Sequence, residues 1–183
     1  RRRLAAAVLG LAPVQAMAEV RTGTYSIVAR DAKTGELGVA VQSHWFQVGA
    51  LVPWARAGVG AVATQALTNA SFGPEALELL ATGKRPKEVV DSLLAADDDP
   101  TRRQLAVVDA RGGVAARTGA RCIPHKGQKT GDGYVALANL VAAPGVPSAM
   151  AKAFEQAEGP LAERMLAALR AVGTMGTTTP VAA

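Results

Sequence analysis

The chain has few cysteines, which cross-link small exported proteins, and few aromatic residues, which stack on nucleic-acid bases. Of its 183 residues, one is a cysteine and only 4% are aromatic. A single cysteine, Cys122, excludes an internal disulfide framework, and we predict that it is a small buried apolar residue rather than a reactive thiol. Ala, Val and Leu must therefore build the core, and the length favours one domain.

Positive charge is also scarcer than the formal net charge of +5 suggests. Three arginines open the chain, and without them 17 Lys and Arg stand against 15 Asp and Glu. No other basic run is present, and few aromatic residues could stack on bases. These features exclude nucleic acid as the expected partner.

Clusters of metal ligands are lacking as well. The basic segment 119–133, which we expect to be a loop, holds one cysteine and one histidine, Cys122 and His125. Three adjacent carboxylates at 97–99 lack the alternating ligands and glycine of a calcium loop, so they predict a solvated acidic turn. We expect no metal and no cofactor.

The first 18 residues have the pattern of a signal peptide. Arginines 1–3 precede an apolar run at 4–14, and Ala16-Met17-Ala18 matches the small-x-small site of signal peptidase. This predicts an exported protein, periplasmic or extracellular, by a Sec or twin-arginine route. The apolar run is too short for a stable membrane anchor. Residues 19–172 then form the domain and 173–183 an irregular tail.

The order of elements predicts an α+β fold. Strands come as hairpins and helices as consecutive pairs, with 45–57 irregular. The predicted elements are a hairpin at 24–42, a strand at 58–66, helices at 73–83 and 86–96, a hairpin at 104–118, a strand at 134–141, and helices at 147–158 and 160–172. This order suits two sheets packed face to face with helices outside each, rather than a parallel sheet.

Thr24 is the first candidate for chemistry. It opens the first predicted strand, directly after Gly23. If the chain ahead of it were removed, Thr24 would carry a free α-amine beside its hydroxyl, which combines a nucleophile and its base in one residue. Signal cleavage after Ala18 leaves five residues ahead of Thr24, so a second cut at Gly23-Thr24 is needed. The alternative is an ordinary strand residue that follows a flexible glycine.

Polar residues at the ends of the neighbouring strands are the other candidates. Gln42, Ser43 and His44 end the first hairpin and could orient substrate near Thr24, or could be a solvated strand end. Three more candidates lie at or just beyond the C-terminal end of the buried strand at 58–66: Thr64, Gln65 and Asn69. They could stabilise an anionic intermediate or could cap the next helix.

Several motifs resemble a known bacterial family, the domain of unknown function 1028. The resemblance runs from Thr24 to about Leu169. It is carried by TYSIVARD at 24–31, GVAVQS at 38–43, VPWA at 52–55, GVGAVATQ at 58–65, FGP at 72–74, TGARC at 118–122 and GPLAER at 159–164.

That family is similar to the N-terminal nucleophile (Ntn) hydrolases. The resemblance implies a four-layer αββα sandwich and hydrolysis of a linear C–N amide bond, with Thr24 as nucleophile. It places an oxyanion-hole backbone amide around Thr64 and Gln65, with Asn69 nearby. Asn139 is retained as a polar substrate contact within a stretch that otherwise departs from the family's Gly-Asn-Met-Leu. For an exported amidase we expect a small amide or peptide as substrate.

Beyond Leu169 the chain departs from the family pattern, which predicts a C-terminally truncated sandwich with an exposed sheet edge. Two rival hypotheses stay open. The chain could be a non-catalytic sandwich that binds a ligand or partner, or an inactive truncated relative. A homo-oligomer is compatible with all three readings.

Overall fold

The computed structural model describes residues 23–173 as eight strands and four helices. In chain order the elements are β1 (Thr24–Arg30), β2 (Leu37–Ser43), β3 (Pro53–Arg56), β4 (Gly60–Ala66), α1 (Phe72–Ala81), α2 (Pro86–Ala95), β5 (Arg103–Asp109), β6 (Val114–Thr118), β7 (Gly127–Gly131), β8 (Tyr134–Asn139), α3 (Val146–Gln156) and α4 (Leu161–Gly173). Short 3₁₀ turns lie at Val48–Ala50 and Pro100–Arg102. The predicted α+β class is confirmed.

The strands form two antiparallel sheets of four strands each. The first sheet has the order β2-β1-β8-β7 and the second β3-β4-β5-β6. β1 and β8 are the central strands of the first sheet, and β4 and β5 those of the second. The order places Thr24, the first residue of β1, between Ser43 of β2 and Asn139 of β8.

Three apolar clusters hold these elements together. One joins the two sheets and is made mostly of small side chains: Val28, Val135 and Leu137 from the first sheet, and Ala61, Ala63, Ala106 and Val108 from the second. The other face of the first sheet packs on α3 and α4, and that of the second sheet packs on α1 and α2. Because strand side chains alternate between faces, each sheet is buried on both sides.

An aspartate closes the turn of each predicted hairpin. Asp31 Oδ1 accepts hydrogen bonds from the backbone N–H groups of Lys33 and Thr34, at 2.8 and 2.9 Å. Asp109 Oδ1 likewise accepts from Arg111 and Gly113, both at 2.8 Å. Short polar side chains that bond their own turn are typical of such positions, so both hairpins are set locally.

Two edge strands correct the sequence prediction. β3 lies in the segment expected to be irregular, and β7 lies in the segment expected to be a loop. β3 begins with Pro53, and sheets tolerate proline at the first residue of a strand and on edge strands; β7 is largely polar and exposed. Both strands lie at a sheet edge and are paired on one side only. Their sequences therefore lack the apolar alternation by which a strand is predicted.

The acidic turn is corrected at one position. The side chain of Asp97 is only 2% exposed, and its Oδ1 lies 2.9 Å from Nε of Arg103. Asp98 is exposed, as the sequence predicts. The prediction of a solvated carboxylate is wrong for Asp97, because the short turn at Pro100–Arg102 places Arg103 against it.

The predicted signal peptide at 1–18 and nearly all of the predicted tail at 173–183 lie outside the described residues. Within residues 23–173, no helix is long and apolar enough to cross a membrane. The same range contains no group of three or more His, Cys, Asp or Glu side chains that could hold a metal ion.

Candidate active site between the sheet ends

Thr24 is buried at the end of a central strand, with its side chain toward the second sheet. Its register on β1 puts it on the same face as Val28, which belongs to the cluster between the sheets. The residue is 6% exposed. Thr24 Oγ1 lies 2.8 Å from Ser43 Oγ, and Ser43 Oγ also accepts the backbone N–H of Trp45 at 3.1 Å. The predicted neighbourhood of Thr24 and Ser43 is therefore present.

The peptide bond ahead of Thr24 is held by His44. The Gly23 N–H donates to Nδ1 of His44 at 3.0 Å, and the backbone N–H of His44 donates to the Gly23 carbonyl at 3.4 Å. Gly23 has φ of 109°, and a Cβ there would lie 2.5 Å from the carbonyl oxygen of Leu140. Only glycine fits this position. The Gly23-Thr24 bond is thus fixed next to the Thr24 hydroxyl.

A chain of buried amides and hydroxyls crosses between the sheets beside Thr24. Ser26 Oγ donates to Gln65 Oε1 at 2.5 Å, and Gln65 Nε2 donates to Gln104 Oε1 at 2.6 Å. Asn139 Nδ2 donates to the same oxygen of Gln104 at 3.0 Å. Gln104 Nε2 lies within 3.0 Å of three acceptors, among them the Ala138 carbonyl. Gln104 is therefore the hub that fixes Gln65 and Asn139.

A cavity of about 430 Å³ opens at Thr24. Its walls come from the ends of β1, β4 and β8 and from the segments that follow β2 and β4, precede β5 and follow β6. The lining residues are Thr24, Trp45, Ala66, Leu67, Arg102, Arg121, Cys122, Ile123, Asn139 and Leu140. The cavity combines a hydroxyl and an amide with apolar side chains and two guanidinium groups, and its volume lies in the range of small-molecule sites.

Two residues in the cavity wall have strained backbones. Ala66 has φ of 70° and Leu140 has φ of 54°, and each lies where a central strand ends. The left-handed conformation costs a non-glycine residue about 1–3 kcal/mol and is concentrated at functional sites. The surrounding fold therefore holds both turns of the wall in place.

The loop after β4 is clamped by Asp97. Asn69 Nδ2 donates to Asp97 Oδ2 at 3.1 Å, and Arg103 Nη1 donates to the Leu67 carbonyl at 2.7 Å. Burial would raise the pKa of Asp97, but hydrogen bonds from Arg103, Asn69 and the Asp99 N–H outweigh it and lower the pKa. The clamp fixes the loop that carries Leu67 into the cavity wall.

This clamp predicts a pH dependence of stability. The pKa of Asp97 is lower in the folded chain than in the unfolded one, so its contribution is complete above the unfolded pKa of about 4 and is lost as pH falls through the folded pKa. We expect Asp97→Asn to cost about 2–3 kcal/mol of unfolding free energy near neutral pH. The loss should shrink toward pH 3, as measured by urea unfolding. Asp98→Asn, at an exposed position, is the control. An equal loss for Asp97→Asn at all pH values would contradict the clamp.

Five of the predicted site residues, Thr24 among them, lie together. Ser43, His44 and Asn139 surround Thr24, through the hydrogen bonds and strand register given above. The side chain of Gln65 lies on the same inter-sheet face, one hydrogen bond away from Gln104. These residues form the candidate site.

Three others do not join it. Gln42 pairs with Tyr25, whose side chain packs on the helices, so Gln42 lies on the opposite face of the first sheet. Asn69 does not line the cavity and bonds Asp97 and Ser71 instead. Thr64 Oγ1 donates to the Asn69 carbonyl, and the Thr64 N–H donates to the Val52 carbonyl at 3.1 Å. A role for that N–H in an oxyanion hole does not fit this structure.

The sequence did not predict Gln104 as the hub of the buried amides, nor the two arginines of the cavity wall, Arg102 and Arg121. Gln104 alternates with Ala106 and Val108 on an inward face, and a glutamine in that pattern was a usable signal. Arg121 stands within the TGARC motif, but nothing in the sequence places it near Thr24. The buried state of Cys122 is confirmed, and burial raises the pKa of its thiol.

Fold and site together define a mixed α+β protein with two antiparallel sheets, four helices and a cavity with polar and apolar walls where the sheets end. The chain belongs to the family of unknown function DUF1028, whose family model matches residues 24–179, ten residues beyond the predicted end of the resemblance.

A crystal structure of protein SPO2555 from Silicibacter pomeroyi, of the same family, is 33% identical to this chain with a TM-score of 0.81. The similarity covers 85% of this chain and 69% of the other. No curated protein matches the chain.

Proposed function

We propose that this protein is an exported amidohydrolase of the Ntn type, with Thr24 as its N-terminal nucleophile after cleavage of the Gly23-Thr24 bond. The observation that carries the proposal is the position of Thr24. Its hydroxyl heads a central strand, contacts Ser43 and opens into the cavity, while the preceding carbonyl is held by His44. The family match also begins at Thr24.

The proposed fold is the four-layer αββα sandwich of that superfamily. Its support is the order of the apolar clusters, in which α3 and α4 cover the first sheet, the sheets pack on each other, and α1 and α2 cover the second sheet. Such a sandwich buries both faces of each sheet and leaves the strand ends as the place for a site.

The geometry suits self-cleavage at Gly23-Thr24. Thr24 Oγ1 would attack the Gly23 carbonyl carbon, and the His44 N–H would stabilise the oxygen as it gains negative charge. The carbon–nitrogen bond breaks, and the hydroxyl proton passes by way of Ser43 or water to the departing nitrogen. The product is an ester of Gly23 on Thr24 with a free α-amine. Water then hydrolyses the ester, restores the hydroxyl and releases the leading segment.

Hydrolysis of a substrate would repeat these steps in trans. The free amine of Thr24, with a pKa of about 8, accepts the hydroxyl proton while Oγ1 attacks the amide carbonyl. The amine product leaves with that proton, and water releases the acyl group. Within residues 23–173, Oδ1 of Asn139 accepts no hydrogen bond, and because Asn139 lines the cavity, this oxygen can accept a substrate N–H.

The mass and N-terminal sequence of the purified full chain test the proposal. We expect incubation of the folded protein to convert it to a species that begins at Thr24, because nucleophile and scissile carbonyl are adjacent in one residue pair. A folded protein that keeps Glu19 or an earlier residue as its N-terminus would contradict the hydrolase and favour the non-catalytic binding sandwich.

A further inference from the structure

The cavity at Thr24 gathers exposed apolar side chains. Trp45, Leu67 and Ile123 all line it, and they are 65%, 51% and 55% exposed. They are half of the six large hydrophobic side chains that are exposed within residues 23–173. Apolar side chains scattered singly need no explanation, but a group around one opening marks a place where an apolar ligand is removed from water.

The same cavity has a cationic wall. Arg102 and Arg121 line it with side chains that are 45% and 58% exposed. Both guanidinium groups face a single carboxylate, that of Asp99, at 3.3 and 3.7 Å from its Oδ2. Asp99 is itself engaged, since its Oδ1 accepts the hydroxyl of Thr101 at 2.6 Å. Two cations against one anion leave about one positive charge at the opening.

Arg103, the next residue after Arg102, shows the contrast. Its side chain is 14% exposed and closes on Asp97, which is 2% exposed. That pair is buried and complete, so it stabilises the loop and offers nothing to a ligand. Arg102 and Arg121 instead keep donors toward the solvent, and guanidinium forks match the geometry of carboxylates.

From these walls we infer that the substrate is a carboxylate-bearing acyl amide with an apolar group next to the amide, such as an N-acylated amino acid or the free C-terminal end of a short peptide. The carboxylate binds at Arg102 and Arg121, the apolar group packs against Trp45, Leu67 and Ile123, and the amide carbonyl lies at Thr24. The inference rests on the proposed hydrolase.

Paired substrates test the inference on protein processed to Thr24. N-acetyl-leucine and N-acetyl-leucine amide differ only in the carboxylate, and N-acetyl-glycine lacks the apolar group. We expect kcat/KM to be about 10–100-fold higher for N-acetyl-leucine than for its amide, because hydrogen bonds between charged groups are the strong ones. N-acetyl-glycine should be hydrolysed about 10-fold less well than N-acetyl-leucine.

Substitutions of the two cavity arginines test the carboxylate site. Arg121→Gln and Arg102→Gln should each raise KM for N-acetyl-leucine about 10-fold more than they raise KM for the amide substrate. Arg85→Gln, at an exposed arginine outside the cavity, is the control and should change neither. Equal turnover of acid and amide would overturn the substrate class while leaving the hydrolase intact.

Binding separates the remaining outcomes. If the processed protein hydrolyses none of the three compounds, isothermal titration calorimetry with N-acetyl-leucine and its amide decides. Tighter binding of the acid, lost in Arg121→Gln, would uphold the ligand class but show that this ligand is not hydrolysed. Absence of any preference would overturn the ligand class, while the hydrolase stands or falls on cleavage at Gly23-Thr24.

Discussion

Replacement of Thr24 by alanine is expected to leave the chain uncleaved at Gly23-Thr24 and to lower amide hydrolysis by at least about a thousandfold. The hydroxyl is the only group of the pair Gly23-Thr24 that can attack the adjacent carbonyl, and within residues 23–173 the Thr24 side chain hydrogen-bonds one other nucleophile, the hydroxyl of Ser43. The measurements are the mass of the purified variant and its turnover of N-acetyl-leucine. Folding should be preserved, because the exchange removes one hydroxyl and one methyl group.

Thr24→Ser is the matched control for that variant. Serine keeps the hydroxyl and the contact to Ser43, so cleavage and turnover should persist, within about tenfold of the native protein. Ser43→Ala should slow both steps without stopping them, since it removes only the hydrogen-bond partner. Full cleavage and turnover by Thr24→Ala would refute Thr24 as the nucleophile.

Replacement of Gln104 by leucine should give the largest loss of stability. Leucine has a similar size but leaves the Gln65 and Asn139 amides without their acceptor, and all three residues are buried. Each unsatisfied buried donor costs about 1–3 kcal/mol, so we expect a loss of about 2–6 kcal/mol in unfolding free energy. Urea unfolding followed by circular dichroism measures it.

Gln42→Leu is the control for Gln104→Leu. Gln42 is an exposed glutamine on β2, and its replacement should change stability by no more than about 0.5 kcal/mol. Similar losses for the two variants would mean that Gln104 is not a hub. Gln104→Glu offers a second comparison, since it keeps the acceptor for Gln65 and Asn139 but removes the donor to the Ala138 carbonyl.

Local patterns were enough for the hairpins and helices. Thr24, Ser26 and Val28 alternate along one face of β1, and β1 pairs with β2 so that Ser43 lies opposite Thr24, as a hairpin over 24–42 implies. The turns at Asp31 and Asp109 depend on residues within four positions of each aspartate. Such features are readable because strand and helix periods come from local backbone geometry.

The edge strands could not be predicted from the sequence, because they lack such a local pattern. β7 consists of Gly-Gln-Lys-Thr-Gly, which has no local preference for a strand. It is a strand because Tyr134 to Ala138 of β8 offer it an unpaired edge. Tertiary pairing overrode local preference there, and β3 with its initial Pro53 is the same case.

The sequence by itself determined the α+β class, the order of the main elements, the burial of Cys122 and the position of Thr24 at the head of a strand. The tertiary structure alone decided how the buried amides of Gln65, Gln104 and Asn139 connect beside Thr24 and which charges face the cavity. Ser26 and Gln65 are 39 residues apart, and Asn139 and Gln104 are 35 apart. Contacts over such separations depend on how two sheets pack, and packing is a property of the whole core rather than of any local period.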